Sequence, residues 1–229
     1  MGQRRGRYPE TMTPALRATG ILRIAAGLLV LAAIITQIVD QLMHDAFVPE
    51  EYFSYFTIES SMINVVVLLA GGWIAWRQSD LDPFDQRGQL FSSIRMSIVA
   101  YAVVTAGVYN VLLRHLPSDG FEGIQWPNEV MHVWVPILIA LDWVLAPGRP
   151  VLAWRRVGIA IVYPLAWVAF TLIRGQLTGW YPYPFLEPFG PGGWGSVFLY
   201  VLGIAAFILL VAGVAIAISR VAAGRMPVR

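Results

Sequence analysis

Residues Tyr52–Trp76 read YFSYFTIESSMINVVVLLAGGWIAW. The second half is apolar enough to sit in lipid, but the first half carries Thr57, Glu59, Ser60, Ser61 and Asn64. A membrane span needs roughly 20 predominantly apolar residues to cross about 30 Å of hydrocarbon, so the polar half has to be part of any span built here. At 100° per residue, Thr57, Ser60, Ser61 and Asn64 stand at i, i+3, i+4 and i+7 and share one helix face, with Glu59 turned away. Polar side chains at membrane depth face the bundle interior or a wet cavity. The stretch therefore predicts a spanning helix with a polar stripe directed at other helices.

The rest of the chain supplies those helices. It has 229 residues, 57% hydrophobic and 13% charged, where a soluble domain carries about a quarter charged residues. Six apolar segments qualify as spans: about 21–39, 52–76, 93–113, 128–145, 157–173 and 196–218. Arg4, Arg5 and Arg7 precede the first, but it is long for a signal peptide and no A-x-A cleavage site follows, so it is read as retained. The expected fold is an all-α integral membrane protein, one six-helix domain over residues 1–229, with no repeat. There is no cysteine, which excludes disulfides, thiolate metal sites and Cys nucleophiles. A net charge of +2 gives no case for nucleic acid. Every basic residue is Arg, which reads as the codon bias of a high-GC genome.

Those arginines set an orientation. Arg4, Arg5, Arg7 and Arg17 lie before the first span, Arg77 and Arg87 in the second loop, Arg149, Arg155 and Arg156 in the fourth, and Arg220, Arg225 and Arg229 at the C-terminus. The alternate loops hold only Arg114 and Arg174, with Asp40, Asp45, Glu50, Glu51, Asp119, Glu122 and Glu187. The positive-inside rule places both termini in the cytoplasm. The segment GQLTGWYPYPFLEPFGPGGWG, Gly175–Gly195, is rich in Gly, Pro and aromatics and reads as an ordered outer loop at the membrane interface.

A second polar concentration is WPNEVMHVWVP, Trp126–Pro136, where Asn128 and His132 lie four apart on one face. His132 is the one histidine inside a span, and an ionisable group there is by default a functional hypothesis; a neutral ring held by a neighbouring carbonyl or hydroxyl is the other reading. Spans two and four run in the same direction. Thr57 is five residues past Tyr52 and His132 six past Trp126, so at about 1.5 Å per residue each lies roughly 8–9 Å below the outer boundary. A hydroxyl and an imidazole at one level form a nucleophile and its base in outline. Asn128 is expected to orient the ring through its amide, and Glu129 is the one candidate for an acidic third member. For Ser60 and Ser61, hydrogen-bonded packing between helices is the competing reading.

Four motifs in order, YFSYFT (Tyr52–Thr57), YNVLLRH (Tyr109–His115), NEVMH (Asn128–His132) and GWYPYPFL (Gly179–Leu186), resemble those of the androgen-induced protein family and its bacterial membrane-protein relatives. Members of that family are six-span hydrolases of fatty acid esters of hydroxy fatty acids. The resemblance covers about residues 20–220. It implies a threonine hydrolase of lipid esters in a bacterial plasma membrane, with Thr57 and His132 as the catalytic pair and Asn128 matching the motif asparagine. A fatty-acyl ester is then the expected partner, and no cofactor is implied.

Further candidates support a substrate. Ser60, Ser61, Asn64 and Asn110 offer hydrogen bonds, with Asn64, Ser60 or Asn128 open as oxyanion donors. Arg114 and Arg174 are placed to bind a lipid carboxylate or phosphate, or else snorkel to the interface. Asp142, near the inner surface, is expected to pair with Arg95. The expected cavity lies among spans two to five, lined by Phe53, Thr57, Asn110, His132 and Thr171 and capped by Trp180–Phe185. G-x-S-x-G, H-E-x-x-H and Walker motifs are absent, and a lone span histidine does not make a haem pair. The alternative function is a non-catalytic lipid-binding or regulatory membrane protein using the same cavity.

Overall fold

The computed structural model describes residues 13–77, 86–116, 121–147 and 151–224. Arg4, Arg5, Arg7, Asp82, Asp119, Arg149, Arg225 and Arg229 lie outside those residues. The described chain is a bundle of six helices long and apolar enough to cross a membrane. They are α1 (Thr13–Met43), α2 (Phe56–Arg77), α3 (Gln86–Val108, running on through a π-turn at Tyr109–Leu113), α4 (Trp126–Leu145), α5 (Ile159–Thr178) and α6 (Gly193–Gly224).

Most helices extend past the apolar segments that announce them, because interfacial residues continue the helix once it is nucleated. The second span is the exception. A short helical turn at Pro49–Tyr52 ends before α2 begins at Phe56, so Thr57 stands in the first turn of its helix rather than five residues into a continuous one. The indole of Trp167 on α5 donates to the Ser54 carbonyl in the intervening turn at 3.1 Å and holds the break in place.

Helix α3 is central and touches α2, α4, α5 and α6. Its Ser93, Met96, Ser97, Ala100, Ala102 and Val104 are all buried, as expected of a helix packed on all sides. Helices α1 and α2 cross at two glycines. A Cβ on Gly20 would stand 2.8 Å from the Gly72 carbonyl oxygen, and one on Gly72 2.6 Å from Cγ1 of Ile24. Small residues permit this close backbone approach. Val66, Phe198 and Leu210 point outward, as lipid-facing side chains do.

Four helices are tied at one carboxylate. Asp142 on α4 accepts from Arg95 Nη2 on α3 at 2.8 Å and from Arg23 Nε on α1 at 2.9 and 3.0 Å, while Arg23 Nη1 reaches the Gly71 carbonyl of α2 at 3.3 Å. Sequence reasoning expected Arg95 here and missed Arg23.

Candidate active site

Thr57, Ser60, Ser61 and Asn64 are all buried, on the one face that their spacing requires. Only Thr57 of the four is bonded to the imidazole: its Oγ1 lies 3.2 Å from His132 Nε2. Ser60 donates instead to the Thr57 carbonyl at 3.3 Å. Glu59 turns to α5, where it accepts from the Tyr163 hydroxyl at 3.0 Å.

The ring is oriented by backbone. His132 Nδ1 lies 2.9 Å from the Asn128 carbonyl oxygen. A carbonyl only accepts, so Nδ1 carries the proton and Nε2 presents its lone pair to the threonine hydroxyl. This corrects the expectation that the Asn128 amide would hold the ring: that amide donates to the Tyr109 hydroxyl. The reason lies in a π-turn at Val130–Trp134, where Val135 N–H bonds the Val130 carbonyl. The widened turn disturbs the i→i+4 ladder and lets a side chain take a main-chain acceptor.

A second π-turn faces the first across the helix interface. It spans Tyr109–Leu113, closed by Arg114 N–H on the Tyr109 carbonyl at 2.8 Å. The Asn110 amide donates to the carbonyls of Ala106 at 2.8 Å and His132 at 3.2 Å, so it stitches the two distorted turns together. The Tyr109 ring lies over the imidazole, with centroids 3.9 Å apart and planes inclined by 22°. Arg114 pairs with Glu129 and also donates to the Asn110 side-chain oxygen. Glu129 is thus engaged by Arg114, and among the described residues the ring nitrogens of His132 meet Thr57 and the Asn128 carbonyl instead.

A cavity of about 80 Å³ opens beside Thr57, smaller than the usual small-molecule site. Its walls are α2, α3, α5 and α6 with the segment Tyr183–Leu186, and its lining is apolar apart from Thr57, Thr105, Tyr109, Tyr183 and the indole nitrogen of Trp167. The expected location among spans two to five needs correction. Helix α6 contributes Val201, Ile204, Ala205 and Ile208, and α4 contributes nothing. Tyr109 covers the ring of His132, Phe53 is exposed, and Asn110 and Thr171 do not line the space. The loop between α5 and α6 does close over it, through Tyr183, Phe185 and Leu186.

Tyr183 is the residue that sequence reasoning named only as part of the cap. Its hydroxyl stands beside the Thr57 side chain and the first backbone N–H groups of α2, at Phe56 and Thr57, and Tyr183 and Thr57 line the same cavity. Burial pushes its phenol up to about 12. One turn above the cavity wall at Trp167 and Val168, Thr171 is buried and its hydroxyl has no partner among the described residues. One turn further, Arg174 stacks on Trp180 at 4.5 Å, with Nη1 likewise unpartnered. Asn64 Oδ1 and Thr105 Oγ1 share that condition. Among the described residues no three of His, Asp or Glu gather to hold a metal.

Searches against protein-family models, curated proteins and solved structures find no match to the chain.

Proposed function

We propose that the chain is a membrane-embedded hydrolase of fatty-acyl esters, such as fatty acid esters of hydroxy fatty acids, with Thr57 as nucleophile and His132 as base. The observation that carries this reading is the 3.2 Å contact between Thr57 Oγ1 and His132 Nε2, made by a ring whose other nitrogen is tied to a carbonyl. A threonine hydroxyl is a weak nucleophile until a base takes its proton, and the base must come within about 2.6–3.2 Å. The apolar cavity opening on Thr57 suits an acyl chain.

The chemistry is acyl transfer to water. His132 Nε2 accepts the Thr57 proton as Oγ1 bonds to the ester carbonyl carbon. The tetrahedral intermediate collapses, the bond to the alcohol oxygen breaks, and the imidazolium returns its proton to that oxygen. His132 then takes a proton from water as the water oxygen bonds to the acyl carbon, and returns that proton to Thr57 Oγ1 as the acyl bond breaks and the fatty acid leaves. Arg174, with an unpartnered nitrogen above the cavity, supports binding of an acidic group on the substrate. The arginine bias supports both termini on the cytoplasmic side of a bacterial plasma membrane, with the site toward the outer leaflet.

Turnover of a fluorogenic long-chain ester by the purified protein tests the proposal. Thr57→Ala and His132→Ala each lose it, and the double variant is little worse than either single one because the pair acts as a unit. Ester turnover at the wild-type rate in both single variants refutes the Thr–His mechanism, and a wild-type protein that binds the ester without turnover leaves the lipid-binding alternative, in which the same cavity holds a lipid without cleaving it.

A further inference from the structure

The hydrolase reading needs a donor for the carbonyl oxygen as it becomes negative. The sequence candidates are committed elsewhere or displaced. The Asn128 amide is held by Tyr109, Ser60 donates to a main-chain carbonyl, and Asn64 lies two helical turns beyond Thr57. The other hydroxyl that meets Thr57 belongs to Tyr183, on the loop that closes the cavity.

The placement of Tyr183 is specific. Its ring is buried and held by three aromatic neighbours: Phe185 nearly parallel at 5.2 Å, Tyr55 edge-on at 5.7 Å and Trp167 tilted at 5.9 Å. Its oxygen faces the start of α2, where Phe56 and Thr57 carry main-chain N–H groups that have no acceptor within the helix. Accepting from those groups polarises the phenol and strengthens its own O–H as a donor. Since Thr57 gives its one hydroxyl proton to His132 Nε2, the Tyr183 O–H beside it is the donor available to Oγ1, and Tyr183, Thr57, His132 and the Asn128 carbonyl lie in series.

We infer that Tyr183 is a catalytic residue of this site, whose hydroxyl donates to the substrate carbonyl oxygen and holds the oxyanion while Thr57 adds and the alcohol departs; the inference rests on the hydrolase reading. The carbonyl oxygen of a substrate attacked by Oγ1 lies beside Oγ1 itself, within reach of a donor that stands beside that atom in the same cavity. As Thr57 gives its proton to His132 and forms the new C–O bond, the Tyr183 O–H shifts from Oγ1 to the developing oxyanion. Tyr183 keeps its proton throughout. The proton that moves is the one from Thr57, which passes to His132 Nε2 and then to the leaving alcohol oxygen. Burial raises the phenol to about 12, so the donor stays protonated near neutral pH.

Two variants of the full chain test this, assayed with the same fluorogenic ester. Tyr183→Phe keeps the ring in the cavity wall, so KM stays near wild type while kcat falls about 10²–10³-fold, the usual loss on removing one oxyanion donor. Replacement of Tyr183 by difluorotyrosine keeps shape and hydroxyl but lowers the phenol's acidity range. It retains most of kcat near neutral pH and brings the alkaline fall of kcat down the pH scale. A Tyr183→Phe variant with wild-type kcat, or one whose only change is in KM, overturns the assignment. So does a difluorotyrosine variant with an unmoved alkaline limb, and this second readout stands even if the Phe variant does not fold. Failure of the assignment is distinct from failure of the underlying reading, which shows as turnover surviving in Thr57→Ala.

Discussion

Substituting Asp142 by Ala removes the acceptor shared by Arg23 and Arg95. Arg23 has a side chain only 7% exposed and Arg95 one 14% exposed, so neither guanidinium has ready access to water. Asp142 itself is 20% exposed, which leaves the carboxylate largely unscreened. Removing one partner of a buried ion pair costs about 3–5 kcal/mol, because the other charge is left uncompensated. For a chain of this size about 1 kcal/mol moves the midpoint by roughly 2–4 °C, so Asp142→Ala is expected to lower Tm by about 6–20 °C. Tryptophan fluorescence during thermal unfolding in detergent measures it. The Arg114–Glu129 pair is the control: its side chains are 36% and 38% exposed, and such pairs contribute about 0–1 kcal/mol. The same reasoning makes Arg23→Met/Arg95→Met/Asp142→Leu more stable than Asp142→Ala, since no charge remains buried. If Asp142→Ala melts within the range of Glu129→Ala, the cluster does not clamp the four helices together.

Gly72→Leu forces a side chain into the α1–α2 crossing, where a Cβ already meets Ile24 at 2.6 Å; a loss of about 1–3 kcal/mol is expected, while Gly203→Ala, which meets nothing within 4 Å, leaves Tm near wild type. Ser60→Ala and Ser61→Ala are expected to keep most ester turnover, because Thr57 is the hydroxyl on His132 Nε2; loss of turnover in Ser61→Ala alone reassigns the nucleophile. Stability is expected to fall as pH rises from about 10 to about 12. Between the ordinary phenol value of 10.0 and the folded value of about 12, the native state holds a Tyr183 proton that the unfolded chain has given up. Melting curves across that window show a shallower fall for Tyr183→Phe.

The six helices are legible in the sequence because lipid imposes long apolar runs, and the polar face of α2 because 3.6-residue periodicity survives in Thr57, Ser60, Ser61 and Asn64. The meeting of Thr57 with His132 is legible too, although the depth argument measured from a helix start at Tyr52 that the structure moves to Phe56. Other parts carry no such signal. Nothing in YNVLL or VMHVW marks a π-turn, since a register change depends on what faces it across the interface. Arg23 joins Asp142 from 119 residues away in sequence, and periodicity says nothing about such a partner. Tyr183 reaches Thr57 because an irregular loop folds inward, and the course of a Gly- and Pro-rich loop is set by packing. The cavity wall followed α6 rather than α4 for a similar reason: neighbours in a bundle are chosen by side-chain fit, not by chain order.

The most direct test of the central claim is to label the nucleophile with a fluorophosphonate probe, which phosphonylates it with loss of fluoride, and locate the adduct by peptide mass spectrometry. The account predicts a single adduct on Thr57, absent from Thr57→Ala and His132→Ala and present in Ser60→Ala. An adduct on Ser60 or Ser61, or labelling that persists in Thr57→Ala, contradicts it.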